Sequence, residues 1–361
     1  MATPFSMPFE PNWRGFIDCI TTTHKPDRVY NIELFLDAEV NDWVAREFDL
    51  LKGLDEDDPS FPLAKAMRIQ RFLGYDYVVC GVDDNMIDFT HVLADDTADL
   101  SRSGGRAYME EHKGPITTWA EFDAFPWPDA DKMTFRAMEW YHEHLPEGMC
   151  IIGGQTGHFC EWLTWLMGYE SLCYALYDQR DLVQAIYDRL LSYFDAITQK
   201  IVAWDRVHAV WGSDDMGFIS GTLISPNDMR AFVLPGHKRC AEISHAAGKP
   251  YLLHSCGNLR EIMPDLLDDV RIDGKHSYED VISPVTEVHA QYGDRMACLG
   301  GIDMDFICRA DEAAVRARVR QTLEACQPTG RYCLGTGNTV ANYVPVQNYL
   351  AMLDEGRRWR G

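Results

Sequence analysis

The sequence has no apolar run near the roughly 18 residues that a membrane-spanning helix needs. Its opening stretch, "MATPFSMPFEPNWRGF", has neither a basic segment nor an apolar core of the kind that directs secretion, so a cytoplasmic location is expected. Positive charge is scarce: 33 Lys and Arg stand against 56 Asp and Glu, a formal charge of −23. A field of that sign repels phosphate backbones and anionic lipid, which argues against nucleic-acid and membrane partners, and a cationic or neutral partner suits it better. Internal repeats and low-complexity segments are missing. So is the glycine-rich turn that opens a dinucleotide-binding sheet, because after Ile32 the chain reads Glu33-Leu34-Phe35-Leu36-Asp37. The 11 cysteines are odd in number and spread without the dense spacing of a disulfide scaffold, which suits free thiols in a reducing compartment.

What is present points to one α/β domain over residues 1–361. Hydrophobic residues make up 46% of the chain, enough for a sizeable core. Short β-branched or aromatic runs predict eight buried strands, at 28–32, 76–80, 149–153, 207–211, 250–254, 271–275, 296–300 and 331–335. Helical periodicity fills most intervals, most clearly at 181–194, 225–233 and 311–323, where Ser225-Pro226 and Asp311 read as helix starts. Eight strand signals with helical connections predict a single (β/α)8 TIM barrel, with the stretch from about Asp84 to Glu147 as an insertion after strand 2.

In such a barrel the residues at the C-terminal strand ends share one mouth. Polar and ionisable types crowd there: Glu33, Asp83, Asp84, His158, Asp214, Asp215, His254, Cys256, Lys275, His276, Asp303, Cys333 and Asn338. His254-Ser255-Cys256-Gly257-Asn258 ends the fifth strand, and residues i and i+2 of an extended chain face one side, so imidazole and thiolate can converge on one ion. Alone the pair is weak, since this His and Cys content gives ~0.4 accidental His-x-Cys pairs per chain. Cys333 lies inside the eighth strand, 77 residues beyond Cys256, and alternation does not fix where its sulfur points. One imidazole and two thiolates with an open fourth position would make a catalytic zinc site.

Each other candidate has a functional reading and a structural one. Asp214 and Asp215 orient substrate or cap a helix. Glu33 is a displaceable fourth ligand, a proton acceptor or a surface acid. His158, Lys275, His276 and Asn338 line a substrate pocket or satisfy their own loops. Cys80, Cys150 and Cys298 read as small core side chains.

Long stretches carry a family resemblance: "HKPDRV", "LMGYESLCYALYDQRDLVQAIYDRL", "WGSDDMG", "YLLHSCGNLREIMPDLL", "CLGGIDMDFICRADEAAVRARVRQTLEAC" and "YCLGTGNTVANYVPVQNYLAML". Together they resemble the uroporphyrinogen decarboxylase superfamily, and within it the zinc-dependent methyltransferases that work with corrinoid proteins. The resemblance implies Zn2+ held by His254, Cys256 and Cys333. It also implies a corrinoid (cobalamin) carried on a partner protein, and methyl exchange between that corrinoid and a thiol or a small methylated compound, as in O-demethylation of an aryl methyl ether. No "DxHxxG" cobalamin-binding segment occurs in this chain, consistent with a separate carrier. The decarboxylases of the superfamily grip an acidic tetrapyrrole with an Arg-rich "MRQAGRY"-type segment, whereas residues 32–37 here contain no arginine. A metal-free decarboxylase or lyase for a carboxylated small molecule is therefore the alternative, and a non-catalytic binding barrel the third reading.

Overall fold

The computed structural model describes residues 4–84, 87, 89, 91–96, 98–100, 102, 105–109 and 112–360. Seven of the expected strands form one parallel sheet, ordered as in the sequence: β1 (Tyr77–Cys80), β2 (Cys150–Thr156), β3 (Val207–Ser213), β4 (Tyr251–His254), β5 (Gly274–His276), β6 (Ala297–Leu299) and β7 (Tyr332–Cys333). Their side chains are almost all buried, as expected for a parallel sheet covered by helices. Helices α1 (Trp13–Thr21), α2 (Phe159–Met167), α3 (Arg180–Val202), α4 (Leu234–Ala246), α5 (Glu312–Cys326) and α6 (Val346–Arg358) lie among its covering elements. The expected helix starts are real: Ser225 Oγ accepts from Asp228 N at 3.1 Å, and Asp311 Oδ1 from Ala314 N at 2.8 Å.

The first strand signal, at 28–32, differs from expectation. Residues 30–32 pair with the far edge of the sheet, Ile32 N donating to Leu334 O and Leu334 N to Tyr30 O, each at 2.8 Å. On the β1 side Glu33 N instead donates to the Tyr77 hydroxyl at 2.8 Å, which itself donates to Glu33 O at 3.0 Å. A side chain thus takes the backbone bonds that a continuous ladder would use, and residues 30–32 form an isolated bridge. Between β1 and β2 lie an antiparallel pair, His91–Ala94 with Arg106–Met109, and the helices Trp119–Ala124 and Arg136–His144.

The two ends of the sheet are distinct. At the N-terminal end α1 sits against the strand entries: Trp13 N donates to Gly148 O just before β2, and the Trp13 ring stacks on His208 at the start of β3. At the C-terminal end the strand register aligns Ser213 with His254, His254 with His276, and His276 with Leu299. That alignment gathers the loops after β3, β4 and β5. No helix among the described residues is long and apolar enough to cross a membrane.

Candidate metal centre

Three side chains from two adjacent strand ends converge. Successive residues of an extended strand point to opposite sides, so of the acids following β3 one turns inward and the other toward the mouth. Asp215 is the outward one. Its Oδ1 lies 3.4 Å from His254 Nε2 and accepts from Cys256 N at 2.9 Å. Cys256 Sγ lies 3.5 Å from the same His254 nitrogen. The three donor atoms all fall within 4.8 Å of one another.

A tetrahedral zinc ion with Zn–S near 2.3 Å and Zn–N or Zn–O near 2.0 Å requires donor separations of about 3.6 Å for N to S and about 3.3 Å for N to O. The two edges that meet at His254 Nε2 match these lengths, and the third, from Asp215 to Cys256, lies within 4.8 Å, so the donor set suits such an ion. Three protein ligands leave one position for another group.

The surroundings hold these donors in place. His254 Nδ1 is 2.8 Å from His276 Nδ1, and one proton bridges the pair. A cation that takes the Nε2 lone pair of His254 requires that proton on His254 and makes His276 the acceptor. Burial first, then the nearby His254 and Lys275, hold His276 well below the ordinary imidazole range, so it is a neutral partner. Burial pushes the Cys256 thiol up to about 12, and the Asp215 carboxylate adds to this; a bound cation reverses that balance in favour of thiolate. Burial alone would raise Asp215, but His254 and the Cys256 N–H outweigh it and hold that carboxyl well below the usual range. Asn338 Nδ2 and Ser277 Oγ donate to Cys256 Sγ at 3.1 and 3.6 Å. The turn is locked by Gly257, whose φ is +81° and whose added Cβ would stand 2.1 Å from the Gly217 carbonyl carbon.

Several expectations need correction. Cys333 is not in the cluster: it is wholly buried, with its Sγ 4.0 Å from Cys19 Sγ on α1. In register it pairs with Leu299, but its sulfur meets α1, the helix that sits against the strand entries. Asp215 takes the third place instead. Asp214 is also wholly buried and touches no open space. Its carboxylate accepts from the backbone of Phe159, Cys160 and Glu161 at the start of α2, and lies 2.9 Å from His237 Nε2, whose Nδ1 meets the Tyr251 hydroxyl. It is a helix anchor.

Lys275 spends its ammonium on the carbonyls of Ser255, His276 and Ser277, bracing both loops, and burial lowers it to about 8. His276 stands behind His254, and His158 pairs with Glu161 at 2.8 Å, so neither lines the mouth groove. Glu33 is buried, accepting from Thr336 N and Oγ1 at 2.7 Å each, and desolvation pushes it up to about 8 despite these bonds. Asn338 does line the groove, beside Cys256.

That groove, of about 1080 Å³, is formed by the loops after β3 to β7, with Cys256 in its wall. Sequence reasoning missed part of it, the hairpin of Gly217–Phe218 and Gly221–Thr222, whose only signal was a glycine on each side of an apolar tip.

Residues 103–359 match the uroporphyrinogen decarboxylase (URO-D) family profile. The chain belongs to the uroporphyrinogen decarboxylase family. Its likeness within that family is to methyltransferases. A methylated-thiol--coenzyme M methyltransferase of Methanosarcina mazei is 29% identical over 166 residues, which make up 44% of this chain and 42% of that protein, so the match spans under half of the relative's length. A solved methyltransferase from Methanosarcina mazei superposes with a TM-score of 0.67 over 96% of this chain and 98% of its own, at 14% identity, a likeness of fold. The groove is poor in cations. The one arginine in its lining, Arg309, has its Nε 2.7 Å from Asp305 Oδ1.

Proposed function

We propose that this chain is a zinc-dependent methyltransferase that moves a methyl group between a corrinoid carried by a separate protein and a small methylated substrate, such as an aryl methyl ether, or a thiol. The observation that carries the reading is the meeting of Asp215, His254 and Cys256 beside the mouth groove, with Asp215 Oδ1 and Cys256 Sγ at 3.4 and 3.5 Å from His254 Nε2. Zinc held by these three residues would supply Lewis acidity to a heteroatom entering from the groove. In the demethylating direction the carbon–heteroatom bond breaks with its electron pair left on the heteroatom, which then takes a proton from water. The cobalt(I) of the partner's corrinoid provides the pair for the new bond to carbon.

This chain's own residues orient the donors. His276 fixes the His254 ring, Asn338 and Ser277 hold the Cys256 sulfur, and the Cys256 N–H aims Asp215. The groove opens at the C-terminal strand ends, where a corrinoid protein has room to cover it. The reading takes residues 1–361 as one (β/α)8 domain of the cytoplasm. On that reading the isolated bridge at residues 30–32 stands in the place of the remaining strand, and the segment between β1 and β2 is an insertion.

Decarboxylation of a carboxylated compound is less favoured, because residues 32–37 contain no arginine and, among the described residues, the groove's lining offers only Arg309, which is ion-paired with Asp305.

The test mixes the zinc-loaded chain with a Co(I) corrinoid protein and a methoxylated aromatic, or with a methylcorrinoid protein and a thiol, and follows the cobalt absorbance. Catalytic conversion in either mixture, abolished in His254→Ala, is expected. Equal transfer after zinc removal overturns the reading.

A further inference from the structure

The walls of the groove and the pairing of its charges define what it can admit. Phe218 and Ile219 at the hairpin tip, and Val281 after β5, are exposed large apolar side chains, Val281 at 75%. The charged lining consists of Glu279, Asp280, Asp303, Asp305 and Arg309. Most of it is already committed. Arg309 is held by Asp305, and Arg318 Nη1 donates to Asp280 Oδ2 at 2.6 Å. Asp303 accepts from the N–H groups of Phe306 and Asp280, both at 2.9 Å. Glu279 has no ion pair among the described residues.

An anion entering this space therefore finds, among the described residues of the lining, no cation without an ion-pair partner to replace its hydration, and meets a surplus of carboxylates. The wall beside Cys256 does not make up the deficit, since the Asp215 carboxylate and a Cys256 thiolate together offset the charge of a divalent ion. A cation fares little better, because three of the four acids are spent on arginines or backbone N–H groups. An apolar body gains by covering the exposed Phe218, Ile219 and Val281 surface, at about 25 cal/mol per Å².

Resting on the methyltransferase reading, we infer that the groove selects an uncharged methylated substrate with an apolar body and rejects anionic ones, carboxylates and sulfonates alike. Coenzyme M, a thiol sulfonate named in the activity of the Methanosarcina relative, falls in the rejected class.

Calorimetric titration of the zinc-loaded chain with three matched ligands tests this: 3-methoxybenzyl alcohol, 3-methoxybenzoate and 3-methoxybenzylamine. No corrinoid is present, so the measurement is independent of methyl transfer. The alcohol is expected to bind about tenfold tighter than the benzoate, given one uncompensated charge in a partly desolvated groove. Val281→Lys, which supplies the missing cation, should strengthen benzoate binding by about tenfold and leave the alcohol within about twofold. Benzoate binding as tight as the alcohol in the unaltered chain, the amine binding tightest, or no binding of any of the three, each overturns the inference. If the order holds while the cobalt assay shows no transfer, the preference of the groove stands and the proposed reaction falls.

Discussion

Asn338 donates its side-chain amide to the sulfur of Cys256 across 3.1 Å, although 82 residues separate the two. The loop after β7 therefore brings an amide, and not a second thiolate, to the candidate metal centre. Asn338→Cys should convert the site to two sulfurs. With cobalt(II) in place of zinc, thiolate-to-metal charge-transfer absorbance is expected to rise to about twice that of the unaltered protein, because each thiolate ligand contributes its own band. An unchanged spectrum would place Asn338 too far from the ion.

His276 meets His254 Nδ1 at 2.8 Å and lies outside the cluster of Asp215, His254 and Cys256. His276→Phe keeps a buried ring but removes the acceptor of the His254 Nδ1 proton. Zinc affinity is expected to fall about 10 to 100 fold, measured by competition with a chromogenic chelator, while the unfolding midpoint moves little. Undiminished affinity would show that packing alone orients His254.

Asp214 should behave in the opposite way. Asp214→Asn leaves the start of α2 and His237 short of a buried carboxylate, and is expected to cost roughly 3 kcal/mol in urea unfolding. The folded fraction should still bind one zinc. Loss of zinc from well-folded protein would return Asp214 to the active machinery.

Much of the fold was legible because strands in a parallel sheet are short apolar runs and helices carry their own periodicity and caps. Seven strands and the caps at Ser225 and Asp311 followed from those local rules. The pairing of residues 30–32 was not legible, since it turns on the Tyr77 hydroxyl, a partner 44 positions from Glu33. At the site, His254 and Cys256 were readable from i, i+2 alternation within one strand end. Cys333 misled because alternation along its own strand does not fix where its sulfur points, and the residue it meets, Cys19 of α1, lies 314 positions away. Asp214 and Asp215 were read as equals, yet alternation sends one to a helix start and the other to the cluster.

Glu33 is expected to make stability depend on pH. Burial raises it from 4.5 to about 8 in the folded chain, so across that window the folded state holds a proton that the unfolded chain has lost. Its contribution is full below about 4.5 and is lost as pH rises through about 8. Glu33→Gln, which mimics the protonated form, should flatten the fall in unfolding free energy between pH 5 and 8. A variant with the same slope as the parent would place the titration elsewhere.

X-ray absorption at the zinc edge of the metal-loaded chain tests the Asp215, His254 and Cys256 ligand set most directly, by counting sulfur neighbours. One sulfur at about 2.3 Å with the remaining neighbours nitrogen or oxygen is expected, unchanged in Cys333→Ala and lost in Cys256→Ala. Two sulfurs, or a sulfur that disappears when Cys333 is replaced, would contradict the account.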